Sequence, residues 1–136
     1  MADKLHFSLV SPARELFSGA VDHVIAPGSD GEFGVLPKHA PFMSTLKNGV
    51  VRVLEGETVS MRIFVRGGFA DVTPEGLTIL AEEAVNLAEC DASSIADQLQ
   101  QTKEKLLAEG EGPQHGALAE QVAYLSDLQD AVSAAV

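Results

Sequence analysis

Tryptophan is absent from this chain of 136 residues, tyrosine occurs once, as Tyr124, and cysteine once, as Cys90. A lone cysteine forms no internal disulfide, so the fold has to rest on its apolar core. One tyrosine and no tryptophan leave little from which to build a base-stacking platform. Basic residues are scarce too: nine Lys and Arg stand against twenty Asp and Glu, a formal net charge of -11. Most of such a surface repels phosphate backbones and anionic lipid, which argues against nucleic acid as a partner. No apolar run approaches the roughly 18 residues that a spanning helix requires, so no direct membrane insertion is expected. The start, Met1-Ala2-Asp3-Lys4-Leu5-His6, lacks the apolar core of a signal peptide and points to a cytoplasmic compartment.

What is present is core-forming material, 46% hydrophobic residues at a mean hydropathy of +0.12, in a length that suits one domain or a small domain with an appendage. Two grammars share it. Up to about Ala84 the chain is rich in Val, Phe and Gly, with turn residues at the spacing of an all-β sandwich or barrel. Thr58 to Arg66 alternates Val59, Met61, Ile63 and Val65 with Thr58, Ser60 and Arg62, and Phe64 breaks that alternation in a way that implies burial on both faces. Leu5, Phe7 and Leu9 form the apolar phase of a first strand, Leu77, Ile79 and Ala81 that of a late one, and Val50 to Leu54 and Phe69 to Thr73 are shorter candidates. Gly28-Ser29-Asp30-Gly31, Asn48-Gly49, Glu55-Gly56-Glu57, Gly67-Gly68 and Pro74-Glu75-Gly76 supply turn residues that accept positive φ. A compact antiparallel β-domain is the economical reading.

After Asp91 the period becomes helical. Asp91 or Ser93 caps a helix with Ile95, Leu99, Thr102 and Leu106 on one side, and Gly110 ends it. The stretch from Gly110 to Gly116 reads as a loop, and a second helix from about Ala117 carries Leu118, Val122, Leu125, Leu128 and Val132. The expected chain is therefore a compact all-β domain, sandwich or barrel, over residues 1–87 followed by an antiparallel α-helical hairpin over residues 88–136. Charge divides unevenly: seven basic and eleven acidic residues through Leu87 give -4, whereas Lys103 and Lys105 alone oppose nine acids beyond it, giving -7.

Searching for catalysis returns nothing. His6, His23, His39 and His115 have no chelating spacing, so no metal is expected. His6 and His115 are read as solvated, the latter in the helix-hairpin loop. No Gly-x-Ser-x-Gly elbow surrounds Ser8, Ser11 or Ser18, and Cys90 sits between Glu89 and Asp91, whose carboxylates oppose thiolate formation. The segment from Gly28 to Gly34 has glycines without the Gly-Lys-Ser/Thr ending of a phosphate loop, and its acids repel phosphate. Glu82 and Glu83, read as strand neighbours, point to opposite faces and form no acid–base pair. The residues describe a non-enzymatic, cofactor-free protein that acts by binding other proteins.

Leu9-Val10-Ser11-Pro12, Leu16-Phe17-Ser18-Gly19, the run from Pro27 to Pro41 (PGSDGEFGVLPKHAP), Gly67-Gly68-Phe69-Ala70-Asp71-Val72 and the run from Leu77 to Ala84 occur in order and at characteristic spacing. In these segments the chain resembles the epsilon subunits of the F-type rotary ATP synthases. The likeness covers essentially the whole β-region, and over the helices it is one of architecture. It implies a flattened all-β sandwich followed by an α-helical hairpin, in a non-catalytic central-stalk subunit bound to the gamma subunit and the c-ring, peripheral on the cytoplasmic side of the inner membrane. Such a subunit couples proton-driven rotation to ATP synthesis, and its helices reach the catalytic alpha and beta subunits. Within the motif, Glu32 and His39 match positions near the polar loops of the c-ring, with Gly28, Ser29, Asp30, Gly31 and Pro41 on the same interface. Family members that bind ATP carry Ile/Leu-Asp-x-x-Arg-Ala at the start of the first helix. Here Cys90-Asp91-Ala92-Ser93-Ser94-Ile95 keeps Asp91 and has Ser94 in the arginine's place, so ATP binding is not expected. The competing reading, a protein-binding β-sandwich adaptor without a synthase role, shares the composition and lacks the ordered motif.

Overall fold

The computed structural model describes residues 4–134, in two compact units that meet between Ala88 and Glu89. The first is built from ten strands: β1 Leu5–Val10, β2 Glu15–Val21, β3 His23–Gly28, β4 Gly31–Val35, β5 Phe42–Leu46, β6 Gly49–Glu55, β7 Thr58–Arg66, β8 Gly68–Thr73, β9 Gly76–Leu80 and β10 Glu83–Asn86. Hydrogen bonding runs in the order β10-β7-β6-β3-β5-β8-β9-β1-β2, with β4 on the remaining edge of β3. The pleat explains the burial. Leu5, Phe7 and Leu9 point inward from β1, Val51 and Val53 from β6, Ile63 and Val65 from β7, and Leu77 and Ile79 from β9. Each such side chain taken fully out of water contributes about 1.5–3 kcal/mol. Phe64 faces the other way from Ile63 and Val65 and is nevertheless buried, as its break in the alternation foretold.

Three expectations need correction. The sheet is not wholly antiparallel, because β1 pairs with β9 in parallel, His6 level with Gly76 and Val10 with Leu80. A parallel pair needs a long crossover, and everything from β2 to β8 supplies it. Gly76 is required there because a Cβ would run into the His6 carbonyl. Second, Asn48-Gly49 and Gly67-Gly68 close no hairpin: β5 and β6 both lie against β3, and β7 and β8 are not neighbours. Gly68, at φ +120, takes the chain so close to the backbone of Leu80 and Ala81 that no side chain fits. Third, Glu82 lies in a bend rather than a strand, and Glu83 opens β10 and pairs with Arg66 at 3.5 Å.

Strand β3 carries the architecture that matters most below. Its first half, His23 to Ile25, pairs with β6, and its end, Gly28, pairs with β5 opposite Leu46, so β3 joins the β10-β7-β6 part of the sheet to the β5-β8-β9-β1-β2 part. Near that join the Pro27 carbonyl accepts the Lys47 N–H at 3.0 Å.

After a 3₁₀ turn at Leu87–Glu89, the second unit is α1 Ala92–Glu109 and α2 His115–Ala134, which pack on each other. Asp91 is the N-cap, its carboxylate accepting the Ser93 N–H at 3.1 Å, and Gly110 ends α1 at φ 59 with its N–H on Leu106 O. Helix α2 begins two residues before the expected Ala117, so His115 is helical and not in the loop. Two bonds start it early: Glu109 Oε1 accepts the Gln114 N–H at 3.0 Å, and Gln114 O accepts the Leu118 N–H at 3.0 Å. Exposed His115 then donates Nδ1–H to Gly110 O at 2.6 Å. Ile95 and Leu99 early in α1 and Leu125, Leu128 and Val132 late in α2 are the buried residues of this antiparallel pair.

Candidate interaction surfaces

The motif segment folds as a tight hairpin and a turn. Strands β3 and β4 pair from Val24/Val35 to Gly28/Gly31, leaving Ser29-Asp30 as a two-residue tip. A Cβ on Gly28 would sit 2.7 Å from the Gly31 carbonyl and 2.9 Å from the Phe33 ring, and Gly31 is at φ +130, so both glycines answer to backbone geometry. The tip is tied to β5: the Ser29 N–H donates to Thr45 O at 3.0 Å, and the two hydroxyls lie 2.7 Å apart. Asp30 is exposed. Next to the tip, Arg52 of β6 donates to Glu32 Oε1 at 2.9 Å.

Beyond β4 the chain reverses through Leu36-Pro37-Lys38-His39, with the His39 N–H on Leu36 O at 3.2 Å. Pro37 supplies the fixed φ of the second position and Lys38 adopts φ 63 at the third, where glycine is favoured. His39 donates Nδ1–H to Ala40 O at 2.7 Å and meets Phe42 at 6.5 Å between ring centroids; Phe42 in turn packs edge-on to Phe33 at 5.3 Å. The aromatic row fastens the turn to the hairpin. Glu32 and His39 make no bond to each other among the described residues, and exposed Pro41 leads into β5.

A second surface escaped the sequence reading. An open groove of about 630 Å³ is bordered by Val10-Ser11-Pro12, Thr45-Leu46, Gly67-Gly68-Phe69 and Leu80-Ala81-Glu82. Phe69 and Leu80 are cross-strand partners on β8 and β9, exposed by 50% and 56%. Met43 on β5, level with Asp71 of β8, is exposed by 65%. In a chain this acidic, large apolar side chains concentrated on neighbouring strands mark a surface made to be covered. The available signal was Phe69 and Leu80 standing in the solvent phase of otherwise regular alternations.

Elsewhere the described residues hold no group of three or more His, Cys, Asp or Glu arranged to bind a metal, and no helix long and apolar enough to cross a membrane. The Cys90 thiol is pushed above its ordinary value, mainly by burial and secondarily by Glu89, so desolvation outweighs the charge effect anticipated from sequence. Ser94 accepts from Gln98 Nε2 at 3.3 Å, within α1.

Known proteins close the question of kinship. The family model described as "ATP synthase, Delta/Epsilon chain, beta-sandwich domain" matches residues 4–87. The ATP synthase epsilon chain of Hyphomonas neptunium is 65% identical over 134 residues, 98% of this chain and 99% of that one. The ATP synthase epsilon chain of Caulobacter vibrioides is 65% identical over 86 residues, 62% of this chain and 98% of the relative. A chain in the Euglena gracilis mitochondrial ATP synthase structure (OSCP/F1/c-ring) superposes with a TM-score of 0.75 at 23% identity, covering 99% of this chain and 82% of that one, a likeness of fold. With the profile spanning the sandwich and the Hyphomonas relative aligned over nearly both whole chains, the protein belongs to the ATP synthase epsilon-chain family.

Proposed function

We propose that the chain is a non-catalytic rotor subunit of the central stalk, coupling rotation of the c-ring to ATP synthesis through gamma, peripheral at the cytoplasmic face of the inner membrane. Kinship supports the placement, and the groove beside Phe69 and Leu80 carries the reading. A part that transmits torque needs a permanent apolar contact on one side and a polar, sterically defined contact on another. The groove suits the gamma subunit, and the tip formed by Gly28, Ser29, Asp30, Gly31 and Glu32, with His39 and Pro41, suits the polar loops of the c-ring. Stiffness comes from a sheet continuous through β3 and closed on its own core, with sandwich layers at the usual spacing of about 10 Å.

The hairpin has a different part. With a net charge of -7 and Ser94 in place of the motif arginine, it is a poor nucleotide site and a weak brake on ATP hydrolysis. The sandwich, residues 1–87, is the autonomous domain. The Caulobacter relative supports this, since its matched 86 residues are about the length of that unit alone.

The experiment is replacement of Phe69 by Glu. Because Phe69 is half exposed, the isolated chain should keep its β circular dichroism and its melting temperature. Co-migration with gamma in the solubilised complex should fall sharply. Undisturbed co-migration would remove the groove from the gamma contact.

A further inference from the structure

The carboxylate at the hairpin tip is held from two strands away. Arg52 on β6 is level with Ile25 of β3, while Glu32 on β4 is level with Pro27, so the guanidinium reaches across β3 to make its 2.9 Å bond to Oε1. On its other side Arg52 stands directly opposite Arg62 of β7. Like charges in register repel, and Arg62 has no ion pair among the described residues to relieve it. Arg62 therefore pushes Arg52 in the direction in which Glu32 pulls it. Stability does not account for the arrangement, because side chains 35% and 54% exposed form a surface pair of little energetic worth. Glu32 Oε2, meanwhile, makes no bond among the described residues.

We propose that Arg52 is a positioning residue: with Arg62 behind it, it holds Glu32 by one oxygen so that the other accepts a hydrogen bond from a donor-bearing polar loop of the c-ring. This rests on the reading of the hairpin tip as the c-ring contact. A free glutamate loses rotamer freedom on binding, and a carboxylate already oriented avoids that cost. An amide or cationic donor meets an acceptor whose direction is set before contact.

The test uses the assembled complex in inverted membrane vesicles and reads protons pumped per ATP hydrolysed, beside melting of the isolated chain. Glu32→Gln and Arg52→Gln should each lower the pumping ratio several-fold. The double variant should be no worse than Glu32→Gln alone, because Arg52 acts only through that carboxylate. Arg52→Lys should restore most of the ratio, and melting temperatures should stay together. Normal pumping by Arg52→Gln with a defect in Glu32→Gln would overturn the positioning role and leave the c-ring reading standing. Normal pumping by Glu32→Gln would remove the c-ring contact itself and this inference with it. Early melting of Arg52→Gln that Arg52→Lys does not repair would make Arg52 a structural strut and also overturn the proposal. Arg62→Gln leaves the bridge in place and should lower the ratio by a smaller factor; no effect would remove Arg62 from the device.

Discussion

Asp22 ties together three places distant in sequence. Its Oδ1 receives Lys4 Nζ at 2.6 Å and its Oδ2 accepts the Gly56 N–H at 2.6 Å, while Lys4 also reaches Glu55 at 3.1 Å. The lysine bond, followed by the Gly56 N–H, holds the Asp22 carboxyl below its ordinary value of 3.8. A carboxyl depressed by folding adds stability above its unfolded value, and that contribution disappears as pH falls through the lower folded value. Lys4 shows the mirror case: bonded to Asp22 and then Glu55, it is held above 10.5, and its contribution is lost as pH rises through the folded value. Thermal melts of Asp22→Asn should therefore differ from the parent at neutral pH and converge with it as pH falls below the carboxyl range. A constant difference across that range would show that the charge is immaterial. None of this was legible beforehand, because Lys4, Asp22 and Glu55 look like ordinary solvated charges until the strands bring them together.

The helices and turns are the elements in which local chemistry governs. Asp91 caps α1 as its residue type and position foretold, and replacing it by Ala should cost about 1 kcal/mol. Gly110, at φ 59 and ψ -122, has open space where a Cβ would sit, but that conformation lies outside the left-handed helical well, so Gly110→Ala should cost about 1–3 kcal/mol from the backbone alone. Melting of the two variants, followed at the helical circular dichroism band, measures both. A loss several times larger at Gly110 would mean that the helix end is packed as well as bent. Gly68→Ala belongs to the other class. There the new methyl group meets backbone at φ +120, and the sandwich should lose about 2 kcal/mol or more.

At the scale of the molecule, charge and stiffness are segregated. The sandwich carries the groove and the pinned hairpin tip, and the helical pair carries the excess of acid. A chain ending after Ala88 should fold, retain β circular dichroism and still enter the complex with gamma and the c-ring. The truncated complex should hydrolyse ATP at a rate close to that of the intact one, because the helical region, at a net charge of -7, has no basic residue after Lys105 with which to hold an acidic partner surface. A several-fold rise in ATPase rate on truncation, or micromolar ATP binding by the intact chain, would refute the weak-brake reading.

The sequence by itself determined the phases and periods: which side of β1, β7 and β9 is buried, that Phe64 is buried on the far face, and where a period of two gives way to one of 3.6. Those follow from neighbouring residues, because the pleat and the helix turn set which side chains share a face. Only the tertiary structure decided which strands pair. The backbone bonds that join any two strands are chemically alike, so local pattern says little about partners. Hence the parallel β1–β9 pair and the corner at Gly68 came as corrections, and the place of β3 between β6, β5 and β4 had no local signal. The same reason hid the Arg52–Glu32 bridge and the groove, whose walls come from segments around residues 11, 45, 68 and 81 that meet only when the sheet is complete.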